Sequence, residues 1–100
     1  MEHVAVVADI RPGRRGQLER VLAEGPPFDL GGLSIEHDEV FLGDAQVLVV
    51  FSGPDVGAEL HQMAFTPELS RRMRSLSELV TAPRILAPVF SWDRPAAGRE

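Results

Sequence analysis

Four residue types are missing from this 100-residue chain: cysteine, lysine, tyrosine and asparagine. Without cysteine there is no disulfide, no thiol nucleophile and no thiolate-based metal site. The absence of lysine removes Schiff-base catalysis, that of tyrosine a phenolic general acid, and that of asparagine a common oxyanion donor. Long apolar runs are also missing. None approaches the roughly 18 residues that a membrane-spanning helix requires. Met1-Glu2-His3 is not a basic leader, and the apolar run behind it is too short for a signal peptide. A cytoplasmic protein with no membrane contact is therefore expected. Basic surplus is lacking as well: the net charge is −5, which argues against a nucleic-acid partner.

Hydrophobic residues make up 44% of the chain, enough for one small domain. Two runs stand out, Val4-Ala5-Val6-Val7-Ala8 and Val47-Leu48-Val49-Val50-Phe51. Neither alternates apolar with polar residues, so each reads as a strand buried on both faces.

The first strand is expected over His3–Ile10 and ends at Arg11-Pro12-Gly13. A helix over Arg14–Glu24 has Leu18, Val21 and Leu22 on one face, and Gly25 stops it. After a loop, Phe28–Gly32, a second strand runs from Leu33 to Leu42. Gly43-Asp44-Ala45 turns it into an antiparallel third strand, Gln46–Ser52. Asp55 is the expected N-cap of a helical region, Val56–Val80. Thr66-Pro67-Glu68 divides that region, with Thr as cap and Pro in the first turn. Leu69, Met73, Leu76 and Val80 line its second piece, and Pro83 closes it. The last strand is expected over Arg84–Trp92. Residues 1–94 then form one domain and 95–100 a loose tail.

Strand, helix, strand, strand, helix, strand is the order of an α+β, ferredoxin-like βαββαβ fold. Right-handed crossovers give a four-stranded antiparallel sheet with both helices on one face and a spatial strand order fourth, first, third, second. The two continuous apolar runs fall on the central strands. Glu36-His37-Asp38-Glu39 blunts one edge, and Pro88 suits the other. The face without helices would leave a contiguous apolar patch, on the order of several hundred Å², in water. A two-fold homodimer, two such faces packed into a barrel, is the simplest cover.

His37 and His61 are the candidate general bases. On a regular strand His37 shares a face with Ile35, Glu39 and Phe41, and Glu39 can orient it. The same residues also read as an edge strand with its charges in water. His61 lies on a helix flank near Phe65. There it either borders a cleft or bonds a freed carbonyl beside the kink. Phe41, Phe51, Phe65 and Trp92 are candidate linings for a small apolar or aromatic ligand, or ordinary packing. Asp9 reads as a helix cap or an arginine partner. Arg71, Arg72 and Arg74 read as a solvated helix face, with Glu78 pairing back to Arg74. His37 and Glu39 alone are too few for a metal site, so no metal is expected.

Three segments resemble the dimeric α+β-barrel superfamily, in particular the antibiotic-biosynthesis-monooxygenase-like proteins. Ile10-Arg11-Pro12-Gly13-Arg14 is similar to that family's basic-Pro-Gly turn into its first helix. Gly43-Asp44-Ala45-Gln46 with the Val47 run is similar to its hairpin. His61-Gln62-Met63-Ala64-Phe65-Thr66-Pro67-Glu68-Leu69 is similar to the His-containing kink of its second long helix. Ala87-Pro88-Val89-Phe90-Ser91-Trp92 also resembles the small aromatic polyketide cyclases of the same fold. The resemblance implies a homodimer that acts without a cofactor on an aromatic or polyketide-like compound, as a cyclase or a monooxygenase. Haem-degrading members use Asn, Trp and His, and quinone-forming members use Asn, Trp and Tyr; here Asn and Tyr are absent. The cyclase type, which needs mainly a shaped apolar cleft with an acid or base, is least affected. The alternative is a non-catalytic dimeric binding or regulatory module. An enzyme would bring His37 and His61 to one cavity.

Overall fold

A computed structural model of the chain describes residues 2–25, 29–64, 66–90, 92, 94 and 95, apart from the side chains of Ala64, Leu69 and Ser70. The elements in chain order are β1 (Glu2–Ile10), α1 (Arg15–Ala23), β2 (His37–Leu42), β3 (Gln46–Gly53), α2 (Val56–Ala64), α3 (Glu68–Arg72), a 3-10 turn (Arg74–Leu76) and β4 (Val80–Leu86). The four strands form one sheet in the order β2-β3-β1-β4, and every pairing is antiparallel. This is the expected ferredoxin-like α+β arrangement, with the two apolar runs in the centre.

The alternation of side chains along a strand separates the two faces. Val4, Val6, Ala8 and Ile10 of β1 lie opposite or beside Val47, Val49 and Phe51 of β3. Leu18 of α1, Val56, Leu60 and Met63 of α2, and Leu76 and Leu79 complete this core. α1, α2 and the 3-10 turn therefore pack on the same side. The other side carries Ala5, Val7, Leu48 and Val50, which remain half-buried.

Polar contacts fix the connections around this core. Gly13 turns the chain between β1 and α1 with a positive φ of 78°, a region that glycine enters without steric cost. The Gly57 N–H in the first turn of α2 donates to Glu2 Oε1 at 2.8 Å. Glu2 thus brings a carboxylate to the positive end of this helix, beside Asp55, whose carbonyl accepts from the Glu59 N–H at 3.1 Å. Ser34 donates from N and Oγ to the Glu59 carboxylate at 3.0 and 2.7 Å, and accepts from Asp55 N–H at 3.2 Å. This ties the approach to β2 against α2. The backbone of Ser34 then lies so close to Gly53 that a Cβ there would overlap the Ser34 carbonyl oxygen.

The helical region after β3 breaks where expected. Glu68 N–H donates to Thr66 Oγ1 at 3.2 Å at the start of α3. Three other expectations are corrected. Arg72 is not a solvated charge: its Nη1 donates to the carbonyls of Asp29 and Gly31 at 2.7 and 2.9 Å, and its Nε donates to Glu68 at 3.0 Å. It clamps the loop before β2 onto α3. Val80 belongs to β4 rather than to a helix, and β4 begins four residues earlier than expected. Pro83 therefore lies inside the strand. Between Val7 and Asp9 of β1 the register on β4 gains one residue, at Ala82–Pro83, and Ala82 adopts φ 53°. A bulge on an edge strand accommodates a proline that a regular ladder would reject. Pro88 lies beyond the strand. Finally, residues 33–36 are not in β2, and Ile35 packs against the core instead of sharing a face with His37. The expected tail, 95–100, lies outside the described residues except for Pro95.

Candidate functional site

The open sheet face is built in rows across the strands. His37 of β2, Ser52 of β3 and His3 of β1 form the row at one end. Glu39, Val50, Ala5 and Leu86 make the next row, and Phe41, Leu48, Val7 and Arg84 the third. At the far end Asp9 receives a paired contact from Arg84, at 3.2 and 3.4 Å, and a hydrogen bond from Gln46 Nε2 at 3.3 Å. The face thus has an apolar middle between two polar ends. Arg84, and then Gln46, hold the Asp9 carboxyl below its ordinary pKa of 3.8 by bonding to its charged form. The arginine partnership expected of Asp9 is present.

Period-2 alternation brings three of the candidate residues together: His37, Glu39 and Phe41 all lie on the open face. His37 Nε2 is 3.0 Å from Glu39 Oε1. A carboxylate only accepts, so Nε2 carries the proton and Nδ1 of the neutral ring is a lone pair. Both side chains are more than half exposed. Phe41 is 51% exposed.

His61 is elsewhere, on α2 and the helix-bearing side. Its Nδ1 donates to the Gly57 carbonyl one turn back at 2.8 Å, which leaves Nε2 of the neutral ring as an acceptor. His61 lines an open groove of about 400 Å³ with Glu2, His3, Val4, Ala87 and Pro88. This groove forms because β4 ends its pairing at Leu86, opposite Ala5, and leaves the first residues of β1 without a neighbour on that side. A second hollow of about 240 Å³ continues from His3 and Pro88 onto the open face at Ala5, Val50 and Leu86. His37 lines neither, so His37 and His61 do not share these hollows.

His3 was not among the expected site residues, yet it borders both hollows. Its Nδ1 lies 2.8 Å from the hydroxyl of Ser52, a side chain only 5% exposed. Two positions from the start of the chain it looks like terminal padding. The signal that could have found it is its alternation parity with Ala5 and Val7. Phe51 faces the helices in the core, at 5% exposure, and not the open sheet face. Trp92 lies beyond β4, 64% exposed, with the Arg94 guanidinium 5.6 Å from its ring centre. Phe65 lies outside the described residues. No cluster of three or more metal-ligating side chains occurs among the described residues. No helix among them is long and apolar enough to cross a membrane.

No family model and no curated protein matches this sequence. Solved structures do match the fold. One, from Deinococcus radiodurans, is named a "putative antibiotic biosynthesis monooxygenase"; it is 16% identical, spans 98% of this chain and 100% of its own, and has a TM-score of 0.60. Another with the same name, from Bordetella bronchiseptica, is 13% identical over 92% of this chain and 100% of its own, also at 0.60. With these two structures the chain shares the ferredoxin-like α+β fold.

Proposed function

We infer that this protein is a homodimer that binds a small apolar or aromatic molecule, and that it acts on it without a cofactor in the manner of a cyclase or monooxygenase. One observation carries this reading: a sheet face with an apolar middle of Ala5, Val7, Leu48, Val50 and Phe41, bounded by imidazoles at one end and by Asp9 and Arg84 at the other. A second copy shelters that middle, and the polar ends hold a ligand's oxygens. The names of the solved neighbours point in the same direction.

The proton-transfer candidates are His61, whose free Nε2 borders the groove, and His37, oriented by Glu39. The separation of these two histidines favours a second reading, a dimeric binding module without catalysis. Thermal-shift screening against aromatic polyketides, flavin and haem distinguishes these cases. A ligand at one hundred times its dissociation constant stabilises by about 2.7 kcal/mol, which raises Tm by roughly 10–20 °C in a domain of this size. The expected result is a shift with the aromatic compounds and none with haem or flavin. Turnover of the bound compound, lost in His61→Ala, supports the enzyme. Binding without turnover supports the module. No shift with any aromatic compound contradicts the reading.

A further inference from the structure

The His61 groove lies where β4 ends; another open hollow, of about 250 Å³, lies where β4 begins. The Arg11 N–H donates to the Leu79 carbonyl at 2.8 Å and ties the turn after β1 to the approach to β4. Arg11, Met73, Ser77, Val80 and Pro83 line the space beside that tie. Ala82 lines it as well. Its φ of 53° is strained for an L residue, and such strain gathers at ligand sites. Arg84 Nη1 holds the strained turn by donating to the Ala82 carbonyl at 3.0 Å. A second hollow, of about 380 Å³, adjoins the first at Ser77 and is lined by Pro67, Arg71 and Arg74. Among the described residues, the guanidiniums of Arg11, Arg71 and Arg74 have no ion pair. The pairing expected between Arg74 and Glu78 is not formed. The α-helix ends at Arg72 and a 3-10 turn follows, so four residues no longer span one turn.

We propose that this end of the molecule binds a small organic phosphate. Its apolar body lies on Met73, Val80 and Pro83. Its phosphate takes Arg11 on one side of Ser77 and Arg71 and Arg74 on the other. Charge selects the head group. The chain has a net charge of −5, yet three guanidiniums without carboxylate partners border the two joined hollows. A carboxylate brings one negative charge. A phosphate monoester brings about −1.5 to −2 near pH 7, with three acceptor oxygens. The planar fork of arginine matches those oxygens in pairs. Ser77 is a shared wall rather than a donor, because its hydroxyl already donates to the Arg74 carbonyl at 2.9 Å. Size selects the body. The apolar hollow is smaller than the roughly 300–1,000 Å³ of a drug-sized pocket, so it suits one ring or a short chain. The site is separate from the groove at Ala87 and Pro88, and it requires neither the homodimer nor the activity inferred above.

Phenyl phosphate, titrated into the full chain by calorimetry at physiological salt, tests the proposal, with NMR amide shifts to locate it. It should bind at least tenfold tighter than inorganic phosphate, which lacks the ring. It should also bind at least tenfold tighter than benzoate, which keeps the ring but carries less charge. The amide shifts should centre on Arg11, Ser77 and Thr81 and leave Gly57 and His61 in place. Arg11 and Arg74 are exposed, so Arg11→Gln and Arg74→Gln should keep the wild-type circular dichroism. Each should weaken phenyl phosphate at least tenfold. Equal affinity for inorganic and phenyl phosphate would mean attraction to anions without a built site, and overturns the proposal. Benzoate binding as tightly as phenyl phosphate overturns the choice of head group. Shifts centred on the His61 groove, or no binding at millimolar phenyl phosphate, overturn the site itself.

Discussion

On β1, Val4, Val6 and Ala8 lie under the helices and are 2–4% exposed, while Ala5 and Val7, on the side without helices, remain half-buried. The same contrast holds on β3 between Val49 and Val50. Within one strand, composition is nearly identical on the two faces, yet only one face is covered by this chain. On the homodimer proposed above, a protomer folds on the first face and associates through the second. The two faces should therefore respond differently to substitution: the covered face in stability, the open face in association.

The largest effect is expected on the covered face. Leu60→Ala, at a side chain 2% exposed, should cost about 2–5 kcal/mol in denaturant unfolding. An equal loss for an apolar truncation on the open face, measured with the protomer alone, would break the comparison. Gly53→Ala comes next. Its Cβ meets backbone rather than a flexible side-chain end, so a loss of roughly 1–3 kcal/mol is expected, as for other overpacked sites. The same unfolding titration checks it. Leu48→Asp, on the open face, should leave the protomer's circular dichroism and unfolding midpoint nearly unchanged and remove the dimer in sedimentation.

Two smaller effects concern β4 and the far end of the open face. Ala82 sits at φ 53°, where an L side chain is disfavoured by about 1–2 kcal/mol. Ala82→Gly should therefore raise stability modestly, by up to about 1 kcal/mol after the glycine's extra unfolded-state freedom is counted. Asp9 has a folded pKa below its unfolded one, so its pairing with Arg84 stabilises the fold above the ordinary carboxylate range. That contribution fades as pH falls through the lowered value. Asp9→Asn should flatten the acid limb of a stability–pH curve, and the two proteins should converge at the acid end.

The central strands were legible because Val4–Ala8 and Val47–Phe51 are apolar at every position, a pattern that few other environments allow. The edge strands were less so. Val80 continues the helical spacing of Leu76, and Pro83 looks like a helix stop, so β4 was expected too late. Only the bulge at Ala82 reconciles that proline with a strand, and a bulge depends on the neighbouring strand. The Arg72 clamp joins residues more than forty positions apart, and no local pattern announces it. At the site, alternation correctly gathered His37, Glu39 and Phe41. It had no bearing on His61, whose surroundings are set by where β4 ends; the parity of His3 with Ala5 and Val7 places it on the same face, but its partner Ser52 lies across the sheet.

Sedimentation equilibrium of the unmodified chain, from nanomolar to high micromolar concentration, tests the central claim most directly. The account predicts a species of twice the 10.9 kDa chain mass that dissociates reversibly on dilution. A single 10.9 kDa species across the whole range, with Val50 and Leu48 in contact with water, would contradict it.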